Sequence, residues 1–205
     1  MNVARILYPV KVLGPGNRIG IWLCGCSREC AGCSNPELWH MRDEYEISVS
    51  QLLNLITEIA NNRYVDGFTI TGGEPMDQSQ ELAVFIKYIK KISDDILIYS
   101  GYTIDALYKK DAPDMGSILN SIAILIDGAY IEDRNNNTPL VGSDNQKINI
   151  LNYRYKERYE KYLSTINNQI QNFTTTDGVI SVGIHRSSFK KELDERIDWV
   201  NRDRE

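Results

Sequence analysis

Short runs of apolar residues recur along the chain and are separated by segments with a helical pattern. These runs predict β-strands at residues 6–13, 19–24, 67–71, 96–100, 122–126, 148–151 and 179–184. Between them, residues 50–61 and 79–92 carry apolar side chains three and four positions apart, which predicts amphipathic helices. Strands that alternate with helices indicate βαβ units and a parallel sheet.

The length of the chain limits how far such a sheet can close. A closed barrel of eight βα units typically takes about 250 residues, whereas this chain has 205. We therefore expect an α/β fold in which residues 1–151 form a partial, open βα barrel. Residues 152–205 are expected to add a C-terminal α+β extension that packs on or covers this core.

The predicted extension has its own pattern. Tyr155, Tyr159 and Tyr162 share one helix face, and residues 187–200 carry an apolar helical stripe beyond the strand at 179–184. The tyrosine face is expected to pack on the barrel, and the alternative is a docking surface for a partner. His185 follows the strand, so it can reach the edge of a site at the strand ends, although a lone histidine is more often structural.

Composition and charge exclude several classes of protein. With 42% hydrophobic and 25% charged residues, the chain is neither collagen-like nor disordered in bulk. The net charge is −5, and no basic run is long enough to form a groove for nucleic acid. No apolar stretch approaches the ~20 residues of a membrane span, and the N-terminus has no signal-peptide pattern. We therefore predict a cytoplasmic protein without nucleic-acid or membrane partners.

All four cysteines of the chain lie within ten residues, as Cys24, Cys26, Cys30 and Cys33. In a reducing compartment, such a cluster indicates metal binding or catalysis rather than disulfides. The last three have the spacing C-x-x-x-C-x-x-C, which would hold an iron–sulfur cluster and leave one iron without a protein ligand. Zinc is the alternative, but the paired ligands with a long spacer typical of structural zinc sites are missing.

Cys24 differs from the other three because it ends the apolar run at residues 19–23. Free cysteine is among the most frequently buried residue types, so we interpret Cys24 as a buried strand residue. The alternative, in which Cys24 closes the fourth iron position, remains open from the sequence.

Small and polar residues follow the predicted parallel strands. The cysteine loop follows the second strand, and Gly-Gly-Glu-Pro, Ser-Gly and Asp-Gly follow the next three, at residues 72–75, 100–101 and 127–128. Ligands of parallel α/β sheets bind at the carboxyl ends of the strands, so these segments are expected to converge on one site. The two glycines would let a ligand approach the backbone, and Glu74 would accept hydrogen bonds from an ammonium group.

The cysteine spacing, followed about forty residues later by Gly-Gly-Glu-Pro, resembles the radical S-adenosylmethionine superfamily. Further segments narrow this resemblance to one subgroup of the superfamily; they lie at residues 13–18, 31–39, 99–102, 126–128 and 142–147. They resemble the activating proteins of anaerobic ribonucleotide reductases and the related pyruvate formate-lyase activases. The resemblance covers residues 1–151 in order, and it implies an open βα barrel of the radical S-adenosylmethionine type.

The resemblance also implies a chemistry. Cys26, Cys30 and Cys33 would hold a 4Fe–4S cluster, and S-adenosylmethionine would chelate the fourth iron. An electron from the reduced cluster would cleave S-adenosylmethionine into methionine and a 5′-deoxyadenosyl radical, which takes a hydrogen atom from a glycine of a partner glycyl-radical enzyme. A flavodoxin- or ferredoxin-like protein would supply the electron. No side chain is expected to act as a proton-transfer catalyst, because the cofactors carry the chemistry.

The resemblance assigns a set of residues to S-adenosylmethionine: Gly32, Ser34, Gly72, Gly73, Glu74, Ser100, Gly142, Ser143 and Asn145. The chain departs from the pattern of the activating proteins at two positions: Ser34 replaces an aromatic residue and Val141 replaces a basic one. These replacements leave the cleavage chemistry intact but leave the identity of the partner open. Two alternatives therefore remain open: a radical enzyme that modifies another peptide or a small molecule, and a non-catalytic iron–sulfur protein.

Overall fold

The computed structural model describes residues 1–165, 167–176, 178–186, 188–189, 191–193 and 195. Its strands are β1 (Val3–Val10), β2 (Arg18–Leu23), β3 (Gly67–Gly72), β4 (Ile96–Ser100), β5 (Ile124–Asp127), β6 (Lys147–Ile150), β7 (Ile170–Thr175) and β8 (Gly178–Gly183). Its α-helices are α1 (Val49–Asn62), α2 (Ser79–Ile89), α3 (Ile104–Lys109), α4 (Pro113–Leu119) and α5 (Lys156–Thr165).

Six strands form one mixed sheet in the order β1-β2-β3-β4-β5-β6. Strands β2 to β5 are parallel, whereas β1 and β6 run antiparallel at the two edges. The predicted parallel sheet is therefore confirmed for four strands and wrong for the edges. Only residues 11–17 join β1 to β2, which is too short for the crossover that parallel strands need. Closure of the sheet into a partial barrel stays a prediction.

One face of the sheet is covered by helices α1, α2 and α4. Apolar side chains of β2, β3 and β4 meet Leu52 and Ile56 of α1 and Phe85 and Ile86 of α2 in a buried core. Helix α1 starts at Val49 because the preceding serine and Gln51 form a reciprocal capping box. Both predicted helices are confirmed, with α2 ending three residues earlier than expected.

The opposite face of the sheet is covered by residues that follow β6. Tyr159 of α5 packs against Leu97 and Ile124 of the sheet. The β7–β8 hairpin, which forms its own two-stranded sheet, packs Val182 against Trp22. The C-terminal segment therefore covers a face of the sheet that would otherwise be exposed to solvent. A domain boundary at residue 151 stays a prediction, and the predicted helix at 187–200 lies largely outside the described residues.

Buried charges meet at the amino end of the parallel strands. The Arg18 side chain has no solvent exposure, and its Nε donates to Thr69 Oγ1 at 2.7 Å. Its Nη1 lies 3.2 Å from Asp95 Oδ1, which also accepts a hydrogen bond from the Tyr159 hydroxyl at 2.6 Å. Arg158 lies 3.5 Å from the second Asp95 oxygen. Burial, together with the charge of Asp95, holds the pKa of Tyr159 well above its usual range.

Among the described residues, none of the helices combines the length with the apolar character that a membrane span requires.

Candidate active site

A cavity of about 180 Å³ opens at the carboxyl end of the parallel strands. It is bordered by the cysteine loop after β2, residues 72–74 after β3, residues 100–101 after β4 and Gly128 after β5. Gly142 and Gln146 border it from the segment that leads into β6. The four strand ends therefore meet in one place, as the sequence predicted, because parallel strands present their carboxyl ends at a common edge.

Most of the predicted site residues line this cavity. They are Cys26, Cys30, Cys33, Ser34, Gly72, Gly73, Glu74, Ser100 and Gly142. Gly32, Ser143 and Asn145 are not among the lining residues. The Ser143 hydroxyl accepts a hydrogen bond from the Ile131 amide, and the Asn145 amide donates to the Ala129 carbonyl, so both side chains hold their own loop together. A direct role of any of these residues in cofactor binding stays a prediction.

The three cavity cysteines are free and half-buried. The Cys33 amide donates to the Cys30 carbonyl at 3.1 Å, and the Asn35 amide donates to Cys33 Sγ at 3.4 Å. Burial raises the pKa of the Cys26 and Cys33 thiols. Without a metal these groups are therefore protonated at neutral pH, and binding iron would release their protons.

The three cysteine thiols and their arrangement around one cavity fit a 4Fe–4S cluster. Three thiols from one loop open to one cavity, and thiolates are the usual ligands of such clusters. Among the described residues, no group of three or more His, Cys, Asp or Glu side chains converges on a single ion position. Each cysteine that binds a cubane cluster holds a different iron, so its ligands need not converge in this way.

Cys24 is buried and does not line the cavity. Its thiol donates to the His40 carbonyl at 2.8 Å, and burial raises its pKa. The interpretation of Cys24 as a buried residue is confirmed, and it lies one residue beyond the end of β2.

The buried carboxyl group of Glu74 joins the ends of β3 and β4. Only 1% of the residue is exposed. Its Oε1 accepts hydrogen bonds from the Met76 amide and the Ser100 hydroxyl, and its Oε2 accepts one from the Gly101 amide at 2.7 Å. Burial raises the pKa of this carboxyl group, and the three donors oppose that shift. Its side chain is therefore already engaged by the protein, and an incoming ammonium group would share it.

The two glycines before Glu74 are required by the protein's own backbone. Gly72 has φ +103°, and a Cβ on it would lie 2.4 Å from the Leu23 carbonyl oxygen. A Cβ on Gly73 would lie 2.2 Å from the Gly25 carbonyl oxygen, which accepts a hydrogen bond from the Glu74 amide. The sequence predicted close approach of a ligand here, whereas the observed close approach is that of the end of β2 and the start of the cysteine loop.

Several cavity residues were missed from the sequence. Trp22 and Tyr99 line the cavity from strands β2 and β4, and the alternation of side chains along these strands could have indicated them. Arg28 lies inside the cysteine loop, with its guanidinium 4.5 Å from the centre of the Tyr102 ring. Its Nε is buried and has no hydrogen-bond partner among the described residues. No local pattern could have indicated residues 181–184, which reach the cavity from the hairpin.

Comparison with known proteins agrees with this geometry. Residues 12–149 match the family of 4Fe–4S single cluster domains. The chain belongs to this family. The match includes the cysteine loop and the four strand ends around the cavity, and it ends before α5 and the β7–β8 hairpin.

Curated relatives of the chain include proteins named anaerobic ribonucleoside-triphosphate reductase-activating protein. The one from Enterobacteria phage T4 is 28% identical over 153 residues, which cover 72% of this chain and 93% of the relative. The one from Escherichia coli K12 is 28% identical over 152 residues, covering 70% and 96%. A third, from Pasteurella multocida, is 28% identical over 134 residues, covering 62% and 83%. The resemblance to activating proteins is thereby confirmed.

Proposed function

We propose that this protein is a radical S-adenosylmethionine enzyme that installs a glycyl radical on an anaerobic ribonucleotide reductase. The observation that carries the proposal is the meeting of three free cysteines with the Gly-Gly-Glu segment at one cavity. Membership of the 4Fe–4S family and the names of the relatives support it. When bound, the reduced cluster supplies the electron that cleaves S-adenosylmethionine into methionine and a 5′-deoxyadenosyl radical.

The chain's own residues would bind and orient the reactants. Cys26, Cys30 and Cys33 would hold three irons and leave the fourth to S-adenosylmethionine. The backbone of residues 72–74 and the buried Glu74 carboxylate would face its amino group. Glu74 is well suited to fixing a position, because three hydrogen bonds, one from its own turn and two from the end of β4, hold its carboxyl group in place.

The apolar part of the cavity wall would exclude water and competing hydrogen donors. Leu13, Trp22 and Val182 line the cavity, and each is at most 5% exposed. A reactive radical needs such a wall, because otherwise it takes hydrogen from the wrong group. No proton transfer by a side chain is needed, so the protein contributes binding, orientation and exclusion.

The electron would arrive from a flavodoxin- or ferredoxin-like protein in the cytoplasm. Ser27, Glu29 and Ala31 between the cysteines are exposed, so the cluster would lie just below the protein surface. A donor that docks on this loop would bring its own cofactor close to the cluster without entering the cavity.

The test is anaerobic reconstitution with iron and sulfide, reduction with dithionite and addition of S-adenosylmethionine. We expect 5′-deoxyadenosine, and we expect a glycyl radical signal in electron spin resonance when the reductase is added. Production of 5′-deoxyadenosine without a radical on the reductase would point to another substrate. A protein that holds about four irons but never cleaves S-adenosylmethionine would be a non-catalytic iron–sulfur protein.

A further inference from the structure

The wall of the cavity includes a segment that lies outside the family match. Residues 181–185, at the end of β8 and just beyond it, all line the cavity. Residues 181–183 belong to β8. Side chains of a strand alternate between two faces, so three consecutive strand residues at one cavity indicate that the strand presents its edge to it. The family match ends at residue 149, so this edge belongs to the part of the chain beyond the match.

The contacts of the hairpin show which of its strands faces the cavity. On β7, the Gln171 side chain accepts a hydrogen bond from the Lys11 amide at 2.9 Å and donates to the Pro9 carbonyl at 2.7 Å. Strand β7 therefore borders the chain that leaves β1, and β8 lies on the cavity side. In an antiparallel pair, every second residue directs its N–H and C=O away from its partner strand. Within the described ranges, no backbone hydrogen bond engages residues 179–184 beyond the β7–β8 ladder.

The end of this edge is held in place. The His185 carbonyl accepts a hydrogen bond from the Asn135 side chain at 2.9 Å, which joins the end of the hairpin to the segment between β5 and β6. The imidazole Nε2 lies 3.1 Å from Ser181 Oγ, and its ring lies 4.3 Å from that of Phe189. A preordered edge loses little entropy when it binds a partner strand.

We propose that the cavity-facing edge of β8 binds an extended peptide of the partner reductase, the segment that carries the glycine to be activated. This proposal rests on the proposed function. A glycine reacts at its Cα and has no side chain by which a pocket could hold it, so its main chain has to be recognised. An exposed strand edge recognises main chain by hydrogen bonds at every second residue.

The test uses the cluster-loaded full chain and a synthetic peptide that spans the radical-bearing glycine of the reductase. Single peptide amides are replaced in turn by N-methyl amides, and the dissociation constant of each peptide is measured anaerobically. We expect methylation at alternate positions to weaken binding about tenfold, because each such amide loses one hydrogen bond. Methylation at the intervening positions is the matched control and is expected to have little effect.

Amide hydrogen exchange locates the contact on the protein. We expect the peptide to slow exchange in residues 178–185 and to leave α1 unchanged. Absence of peptide binding would overturn the proposal. So would sensitivity to N-methylation without an alternate pattern, or protection from exchange that leaves residues 178–185 unchanged. If the glycyl radical still forms in such a case, the proposed function stands and only the β8 edge is excluded. Failure to cleave S-adenosylmethionine would instead reject the proposed function.

Discussion

The two ends of the parallel strands are built in opposite ways. At the amino end, Arg18 and Asp95 are fully buried, and both are engaged by partners within the fold. At the carboxyl end, three thiols and the Glu74 carboxyl group line an open cavity. Buried polar groups with partners hold a fold together, whereas polar groups around an open space favour a ligand. The amino end therefore stabilises the sheet, and the carboxyl end is available for chemistry.

The largest effect is expected at the carboxyl end, in Cys30→Ala. This change removes one of three cluster ligands, so iron binding and 5′-deoxyadenosine production should fall below detection. The unloaded protein should unfold at nearly the wild-type temperature, because Cys30 is half-exposed. Iron content, product formation and thermal unfolding measure the two effects.

Cys24→Ala is the matched control for that experiment. Cys24 is buried away from the cavity, so this variant should lose stability and keep its iron and its activity. Loss of the cluster in Cys24→Ala would show that the fourth cysteine is a ligand and would contradict the assignment.

Asp95→Asn tests the amino end. The change keeps the side-chain volume but leaves the fully buried Arg18 without its ionic partner. Breaking a buried pair typically costs about 3–5 kcal/mol, so we expect a decrease of that size in the free energy of unfolding. Urea unfolding measures it, and 5′-deoxyadenosine production per folded molecule should be unchanged. If Asp95→Asn also lowered the production of 5′-deoxyadenosine per folded molecule, the amino end would not be purely structural, and the contrast between the two ends would be wrong.

Glu74→Gln sharpens the comparison. Glu74 lies at the carboxyl end of the strands, but its buried side chain is hydrogen-bonded within the protein, as are the side chains at the amino end. A glutamine nitrogen cannot accept the hydrogen bond that the Gly101 amide now donates. One unsatisfied buried donor costs about 1–3 kcal/mol. We expect that loss in urea unfolding together with a raised KM for S-adenosylmethionine. Glu58→Gln, on the exposed side of α1, is the control and should change neither.

The last effect concerns pH and is confined to alkaline solution. Tyr155 donates its hydroxyl hydrogen to Asp94, and burial, followed by that hydrogen bond, raises the pKa of Tyr155 to about 12. A raised tyrosine pKa gives stability that is present below the unfolded value near 10 and is lost as pH rises through the folded value. As the pH is raised from about 10 to about 12, the free energy of unfolding of Tyr155→Phe should therefore fall less than that of the wild type, by at most about 1.4 kcal/mol per pH unit. The free energy of unfolding of both proteins is measured with urea at several alkaline pH values. If it changes with pH in the same way in the variant and in the wild type, the raised pKa of Tyr155 is refuted.

The sequence predicted the centre of the fold better than its margins. Strands β2 to β5 are runs of apolar residues buried on both faces, and such runs are visible without any structure. Strand β7 was missed because it is mostly exposed and carries polar side chains. Helices α3 and α4 were missed because six and seven residues are too few for a clear period. Strand direction is absent from the pattern, although the short link before β2 could have indicated an antiparallel edge.

The candidate site follows the same division. The strand-end segments could be brought together from the sequence because sheet topology fixes where they lie. The roles of the glycines could not, because the carbonyl groups that crowd Gly72 and Gly73 come from residues almost fifty positions earlier. Contacts over such separations, including those of residues 181–184 with the cavity, leave no trace in local periodicity, whereas the position of His185 at the edge of the site was expected from the strand before it.

The network at the amino end also bears on how the chain is made. Arg18 and Asp95 leave the ribosome well before Arg158 and Tyr159, which complete their environment. During synthesis the sheet can therefore assemble while this ion pair is still in contact with water, and α5 seals it last. A nascent chain paused before α5 would carry a formed cysteine loop on a sheet whose other end is still open to solvent and to chaperones.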